Sequence, residues 1–148
     1  NPHRQQLDWT LHLAAQALDQ SGTPQPFSLG GPLRNMSSST VTPLYGCQPR
    51  HFAREGDTFA LWLAGDGELW QGLAPDNPAV SDLSYLVMRN HLPQAQFVCL
   101  WDLATRSPLT EVSVHTARGA TQLTFWRGER AAHVTLHDDP QLLPDIQL

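Results

Sequence analysis

Leu7, Trp9, Leu11 and Leu13 occupy every second position of the opening segment, and Asp8, Thr10 and His12 fill the positions between them. A period of two is that of a β-strand, whose successive side chains point to opposite faces. Residues 6–14 are therefore expected to form a strand with one apolar and one polar face. The pattern recurs: Phe59, Leu61 and Leu63 share a face in 58–64, and further strand-length runs lie at 68–74, 82–89, 95–103, 111–115, 121–126 and 131–137. Clusters of Gly, Pro, Asn and Asp separate these runs at intervals of roughly ten residues, the spacing of strands in all-β folds. The expected fold is all-β: an antiparallel β-sandwich of roughly eight to ten strands in one domain spanning 1–148.

Local chemistry sharpens some of these expectations. Gly65-Asp66-Gly67 reads as a tight turn, because Gly tolerates positive φ and Asp hydrogen-bonds its own backbone, and 68–74 reads as the partner of 58–64. The run Phe97-Val98-Cys99-Leu100-Trp101 suggests a central strand. Residues 121–126 and 131–137 should form a hairpin around Arg127-Gly128-Glu129-Arg130, with Leu123 and Phe125 meeting Val134 and Leu136. Residues 16–41, rich in Gly, Pro and Ser, read as a long loop with at most one short strand. Residues 14–19 carry a weak helical propensity that Ser21-Gly22 ends, and the tail from Asp138 should be extended.

Composition narrows the function classes. The net charge is −5, all nine basic residues are Arg, and none of them cluster, so the electrostatic footprint of a nucleic-acid binder is missing. No apolar run approaches the roughly 20 residues that span a bilayer as a helix. The absence of Lys fits codon bias in a GC-rich genome, and Arg also suits planar recognition of carboxylate or sulfate. Cys47 and Cys99 leave a disulfide open, although the apolar run around Cys99 favours a buried free thiol.

Histidine is the residue most often recruited for acid–base work or metal binding, and the chain has seven. None sits at metal-ligand spacing beside a further ligand. His133 and His137 would lie about 13 Å apart on a strand at 3.3 Å per residue, too far to share an ion. No metal or cofactor is therefore expected. His12, on the polar face of the first strand, is either a solvated histidine or a donor to a sugar or to a neighbouring domain. Trp62 and Trp70 flank the Gly65-Asp66-Gly67 turn, and Trp62 alternates against Phe59, Leu61 and Leu63, so it is expected to face outward. Two exposed coplanar Trp rings would make a sugar-stacking platform; the ordinary alternative is that both serve the core. His12, Trp62 and Trp70 are the candidate substrate-binding or interdomain residues. No catalytic residue is assigned: there is no Gly-x-Ser-x-Gly elbow, and Tyr45 and Tyr85 have no evident basic partner in sequence.

Three stretches, in order, resemble the C-terminal β-rich region of heparinase II/III-like polysaccharide lyases, a group that includes alginate and oligo-alginate lyases. They are Arg4-Gln5-Gln6-Leu7-Asp8-Trp9-Thr10-Leu11-His12; Gly72-Leu73-Ala74-Pro75-Asp76-Asn77-Pro78 after a hairpin at Gly67-Glu68; and Leu86-Val87-Met88-Arg89 followed by Gln96-Phe97-Val98-Cys99-Leu100. The similarity spans about Arg4 to Val114. It implies a bacterial, periplasmic or secreted origin and a place behind an N-terminal α/α-toroid domain that this sequence lacks. It also implies an acidic, uronate-containing polysaccharide or oligosaccharide as partner. Such enzymes cleave by β-elimination, which needs the uronate carboxylate neutralised, the C5 proton removed and the O4 leaving group protonated. Most of the residues that do this in the family lie outside the region resembled, and only His12 falls in a matching segment. The resemblance thus implies a domain that walls a glycan cleft and is inactive as a lyase by itself. The alternatives are a free-standing carbohydrate-binding module and a structural or oligomerisation domain.

Overall fold

A computed structural model describes residues 6–19, 21–24, 36–75, 81–92, 94–104, 106–117 and 119–148. Among these residues there are thirteen strands and no helix, and all the strand pairings are antiparallel. The strands are β1 (Leu7–Leu13), β2 (Gln16–Ala17), β3 (Thr23–Pro24), β4 (Ser37–Leu44), β5 (Cys47–Arg54), β6 (Asp57–Ala64) and β7 (Gly67–Pro75). There follow β8 (Asp82–Asn90), β9 (Val98–Asp102), β10 (Glu111–Ala117), β11 (Ala120–Arg127), β12 (Arg130–His137) and β13 (Asp145–Gln147). Sheet A has the order β1-β8-β7-β4-β3, sheet B β2-β5-β6-β9, and sheet C β10-β11-β12-β13.

Sheets A and B form the expected sandwich. Their facing sides bury Leu13, Leu44, Phe52, Leu61, Leu63, Leu69, Leu86 and Met88, and Trp9, Leu11, Phe59, Phe97 and Cys99 pack around that cluster. The stack has a third layer. Sheet C lies on the outer side of sheet B, where Val112 and Phe125 meet Ala60, Trp62, Cys47 and Leu100. Sheet B is therefore covered on both faces. This is why β6 reads Ala60-Leu61-Trp62-Leu63-Ala64 without a polar alternate: a strand buried on both faces has no solvent side to keep polar.

Several local expectations are corrected. β6 and β7 do not pair with each other. β6 sits between β5 and β9 in sheet B, β7 sits between β4 and β8 in sheet A, and Gly65-Asp66 carries the chain from one layer to the other. Gly67 opens β7 at φ +133°, where a Cβ would stand 2.2 Å from the Arg89 carbonyl oxygen, so only glycine fits that crossing. β9 is an edge strand of sheet B rather than a central one; its apolar character comes from lying between layers. The segment 14–19 contains the short strand β2 and no helix, because β5 supplies pairing partners for Gln16 and Ala17. The stretch read as a loop contains β3 and most of β4. In the final hairpin Leu123 pairs with Val134 as expected, but Phe125 faces Ala132 and Leu136 faces Thr121, because β11 and β12 continue to Arg127 and Arg130 around a two-residue turn.

The two thiols lie on opposite sides of sheet B. Cys99 packs in the sandwich core, Cys47 packs against sheet C, and both are free. Burial pushes each up to about 11.

Candidate functional site

Trp62 and Trp70 are buried, at 8% and 6% exposure, and the structure sends them to different layers. Trp62 does face away from the sandwich core, as its alternation implies, but sheet C covers it, and no partner reaches its indole N–H among the described residues. Trp70 lies on the outer face of sheet A with Val41, Tyr85 and Val87. Its Nε1 donates to Glu68 Oε2 at 2.8 Å, and the Arg89 guanidinium stands 5.7 Å from its ring. Arg89 in turn makes a two-point contact with Asp8: Nε to Oδ1 at 2.8 Å and Nη2 to Oδ2 at 3.0 Å. The two rings form no exposed platform, and the expectation that Trp62 reaches solvent fails because sheet C was not legible as a cover.

His12 is exposed and is the candidate that does reach an open site. Strand pairing sets it opposite Tyr85, and the two rings meet edge to face with centroids 4.2 Å apart. Tyr85 thus has an imidazole neighbour that its sequence surroundings did not disclose. The contact is through space across two strands 73 positions apart (85 minus 12), beyond any local motif.

A groove of about 500 Å³ opens at this end of the sandwich, lined by His12, Arg54, Glu55, Asp57, Phe59 and Trp101 among others. Trp101 is the exposed aromatic of the molecule's interior-facing rows, at 46% exposure. It belongs to the same face of sheet B as Cys99, at the edge strand β9. Its ring stacks on Phe59 at 5.9 Å and 17°, and Phe59 stacks on core Phe52 at 5.6 Å and 21°. The row Phe52, Phe59, Trp101 runs from the fully buried core to the groove, so the outermost ring is held rigid from behind while its front is free to stack.

The polar rim comes from the β5–β6 turn. Glu55 at φ +54° and Gly56 at φ +92° form a two-residue turn with both φ values positive, the conformation that matches strand twist in a hairpin. Glu is an unusual residue for that geometry and carries strain of about 1–2 kcal/mol. Among the described residues Arg54 touches one acceptor, through Nε to Glu55 Oε1 at 3.3 Å in an exposed pair, and none of them accepts from its two terminal nitrogens. The groove adjoins a second depression of about 740 Å³ that shares Ala14, Ala15, Arg54 and Glu55 and is floored by Gln71, Gly72 and Ser84. Ser84 Oγ donates to the Ala15 carbonyl at 2.6 Å, and Gln71 donates to the Asp19 carbonyl, so the β1–β2 segment between the two depressions is pinned from below. Gly72 permits this floor: it faces the bulge in β4 between Ser37 and Thr40, and a Cβ there would lie 2.8 Å from the Ser37 carbonyl oxygen.

Asp19 is held below the usual carboxylate range. Burial pushes it up, but hydrogen bonds from the His51 backbone N–H and ring, with the charges of His51 and Arg50, outweigh that. Among the described residues no group of three or more His, Cys, Asp or Glu side chains converges as a metal site would require. The groove can thus offer a stacking surface, a guanidinium, an imidazole and two carboxylates. Sequence reasoning missed Trp101 and Arg54. Trp101 stands in an apolar run that reads as core, and Arg54 ends a strand, β5, whose Pro49 and mixed polarity conceal it. No protein-family model matches the chain, and no curated protein matches it either.

Proposed function

We propose that this β-sandwich is a non-catalytic saccharide-binding domain of a polysaccharide lyase acting on uronate-containing glycans. The observation that carries the contact is Trp101, half exposed and backed by Phe59, in one groove with His12 and with Arg54, whose terminal nitrogens meet no acceptor among the described residues. An aromatic face stacks on a sugar ring, and a guanidinium fork takes a uronate carboxylate in a bidentate contact. Glu55 and Asp57 then serve sugar hydroxyls as acceptors. The lyase setting is supported by the ordered resemblance of three segments.

The test is a tryptophan-fluorescence titration with alginate, heparin and chondroitin oligosaccharides, run beside an absorbance assay for unsaturated uronate products. Quenching by at least one of them, lost in Trp101→Ala and weakened in Arg54→Gln, is the expected result, with no rise in absorbance. Silence with all three glycans, or a Trp101→Ala variant that binds normally, would refute the contact. Turnover by this chain would refute the non-catalytic part.

A second reading, an association domain, draws on one observation. Leu136, Leu142, Leu143 and Ile146 are exposed near the β12–β13 edge of sheet C. That reading expects a concentration-dependent dimer in sedimentation, abolished by Leu143→Asp.

A further inference from the structure

The inner face of sheet A changes character toward one end. Leu69 of β7 and Leu86 and Met88 of β8 lie in the sandwich core, and alternation puts Gln71 and Ser84 on that same face. Thr40 of β4 sits opposite Gln71 and continues the row. A face that packs on another sheet is expected to stay apolar. Here it carries an amide and two hydroxyls, with Gln71 and Ser84 both buried. The depression of about 740 Å³ opens beside them. Ala15 and Ala17, partly buried against the core, also line it, and larger side chains there would fill it. Gln71 Nε2 and Ser84 Oγ are engaged by the carbonyls of Asp19 and Ala15, while no described residue donates to Gln71 Oε1. The volume falls in the range of small-molecule sites, about 300–1,000 Å³. Among the described residues no aromatic side chain lines this space, so it offers hydrogen bonds and no stacking surface. The charged side chains that line it are Arg54, Glu55 and Asp82, and Arg54 and Glu55 also line the groove of Trp101. One guanidinium therefore serves both spaces.

We infer that the depression is a subsite for an uncharged sugar unit next to the uronate stacked on Trp101. The domain then takes glycans in which a neutral sugar adjoins the uronate and discriminates against homopolyuronates. The inference rests on the groove reading given above. With the Arg54 fork on the first carboxylate, a second uronate in the depression meets Glu55 and Asp82 and no further cation among the described residues. A neutral unit has no such conflict. Its hydroxyls are donors, and the lining supplies acceptors in Gln71 Oε1 and the Glu55 and Asp82 carboxylates. The small floor at Gly72, where a Cβ would lie 2.8 Å from the Ser37 carbonyl oxygen, keeps this space from being narrowed by a side chain.

The test is a tryptophan-fluorescence titration of the whole chain with two tetrasaccharides, a methylglucuronate carried on three xyloses and tetramannuronate. The mixed tetrasaccharide should bind about tenfold tighter, the scale of one unfavourable charge contact avoided. Asp82→Arg, at an exposed position, puts a cation on the depression and should raise the affinity for tetramannuronate severalfold. Ala17→Leu fills the depression without changing the charge. It should weaken the mixed tetrasaccharide and leave quenching by methyl glucuronide, which needs the groove alone, unchanged. Asp82→Arg keeps the test valid if Ala17→Leu folds poorly. Equal wild-type affinities, or tighter binding of tetramannuronate, with quenching still lost in Trp101→Ala, overturn the inference and leave the groove reading standing. A preference that survives unchanged in both Asp82→Arg and Ala17→Leu comes from overall charge and overturns it equally. Silence with both glycans and with methyl glucuronide overturns the groove reading and this inference with it.

Discussion

Removing the Asp8 carboxylate should be among the most damaging single changes on sheet A. Its side chain and that of Arg89 are 12% and 10% exposed, and they meet through two hydrogen bonds across the β1–β8 pair. Asp8→Ala leaves a guanidinium buried without its bidentate partner. Breaking a buried pair in this way costs about 3–5 kcal/mol. Glu68, which lies opposite Arg89 in the β7–β8 register, and the Trp70 ring stabilise the orphaned charge in part, which puts the expected loss near 3 kcal/mol. For a domain of this size that lowers the unfolding midpoint by about 6–12 °C.

Urea denaturation and calorimetry measure the loss. Asp8→Leu combined with Arg89→Met should recover most of it, because an apolar pair of similar volume avoids the desolvation cost altogether. The pH dependence has a fixed sign. Burial pushes the Asp8 carboxyl up, but the hydrogen bonds from Arg89 and Gln6 and the Arg89 charge outweigh it and hold the group below 3.8. A carboxyl depressed in the folded state contributes stability fully above the unfolded value and loses it as pH falls through the folded one. The gap between wild type and Asp8→Ala should therefore be constant near neutrality and narrow below about pH 4. A loss under about 1 kcal/mol, typical of a surface pair, would refute the reasoning, as would a double variant no more stable than the single one.

Trp62→Phe removes an indole N–H that has no partner among the described residues while keeping most of the ring, so it should be neutral or stabilise by up to about 1 kcal/mol in urea titration. Asp102 accepts from the Leu109 N–H at 2.6 Å, the Ala104 N–H at 3.2 Å and Arg127, so Asp102→Ala should cost about 2–3 kcal/mol and raise hydrogen exchange at Ala104 and Leu109. Glu55→Gly should relieve the left-handed strain and raise stability by about 1 kcal/mol in the same titration. Cys47 and Cys99, both pushed up to about 11, should react with a thiol reagent at pH 8 far more slowly than free cysteine, and unfolding in urea should restore the normal rate.

The fold class was written in the alternation of residues 6–14 and 121–137, where one face is covered and the other is not. The third layer was not, because burial on both faces erases alternation: Ala60-Leu61-Trp62-Leu63-Ala64 looks the same whether a second sheet or a third lies behind Trp62. β5 was missed for a related reason, since Pro49, Arg50 and His51 interrupt its apolar pattern, while its pairing with β6 spans every residue from Cys47 to Arg54. Of the candidate site, His12 was reachable from the polar face of β1. Trp101 was not, since its exposure follows from its place at the uncovered end of an edge strand, a fact of the sheet order and not of its neighbours in sequence.

The crossing at Gly65-Asp66 also shapes how the chain reaches this state. Because β6 and β7 part into different layers, sheet A closes only when β1 finds β8, and the Asp8–Arg89 contact joins residues 81 positions apart. Sheet C is built from successive neighbours, β10 to β11 to β12 to β13, around short connections. Loop-closure entropy delays distant pairings, so sheet C should assemble early and the sandwich should set the refolding rate, in the millisecond-to-second range of folds dominated by non-local strands.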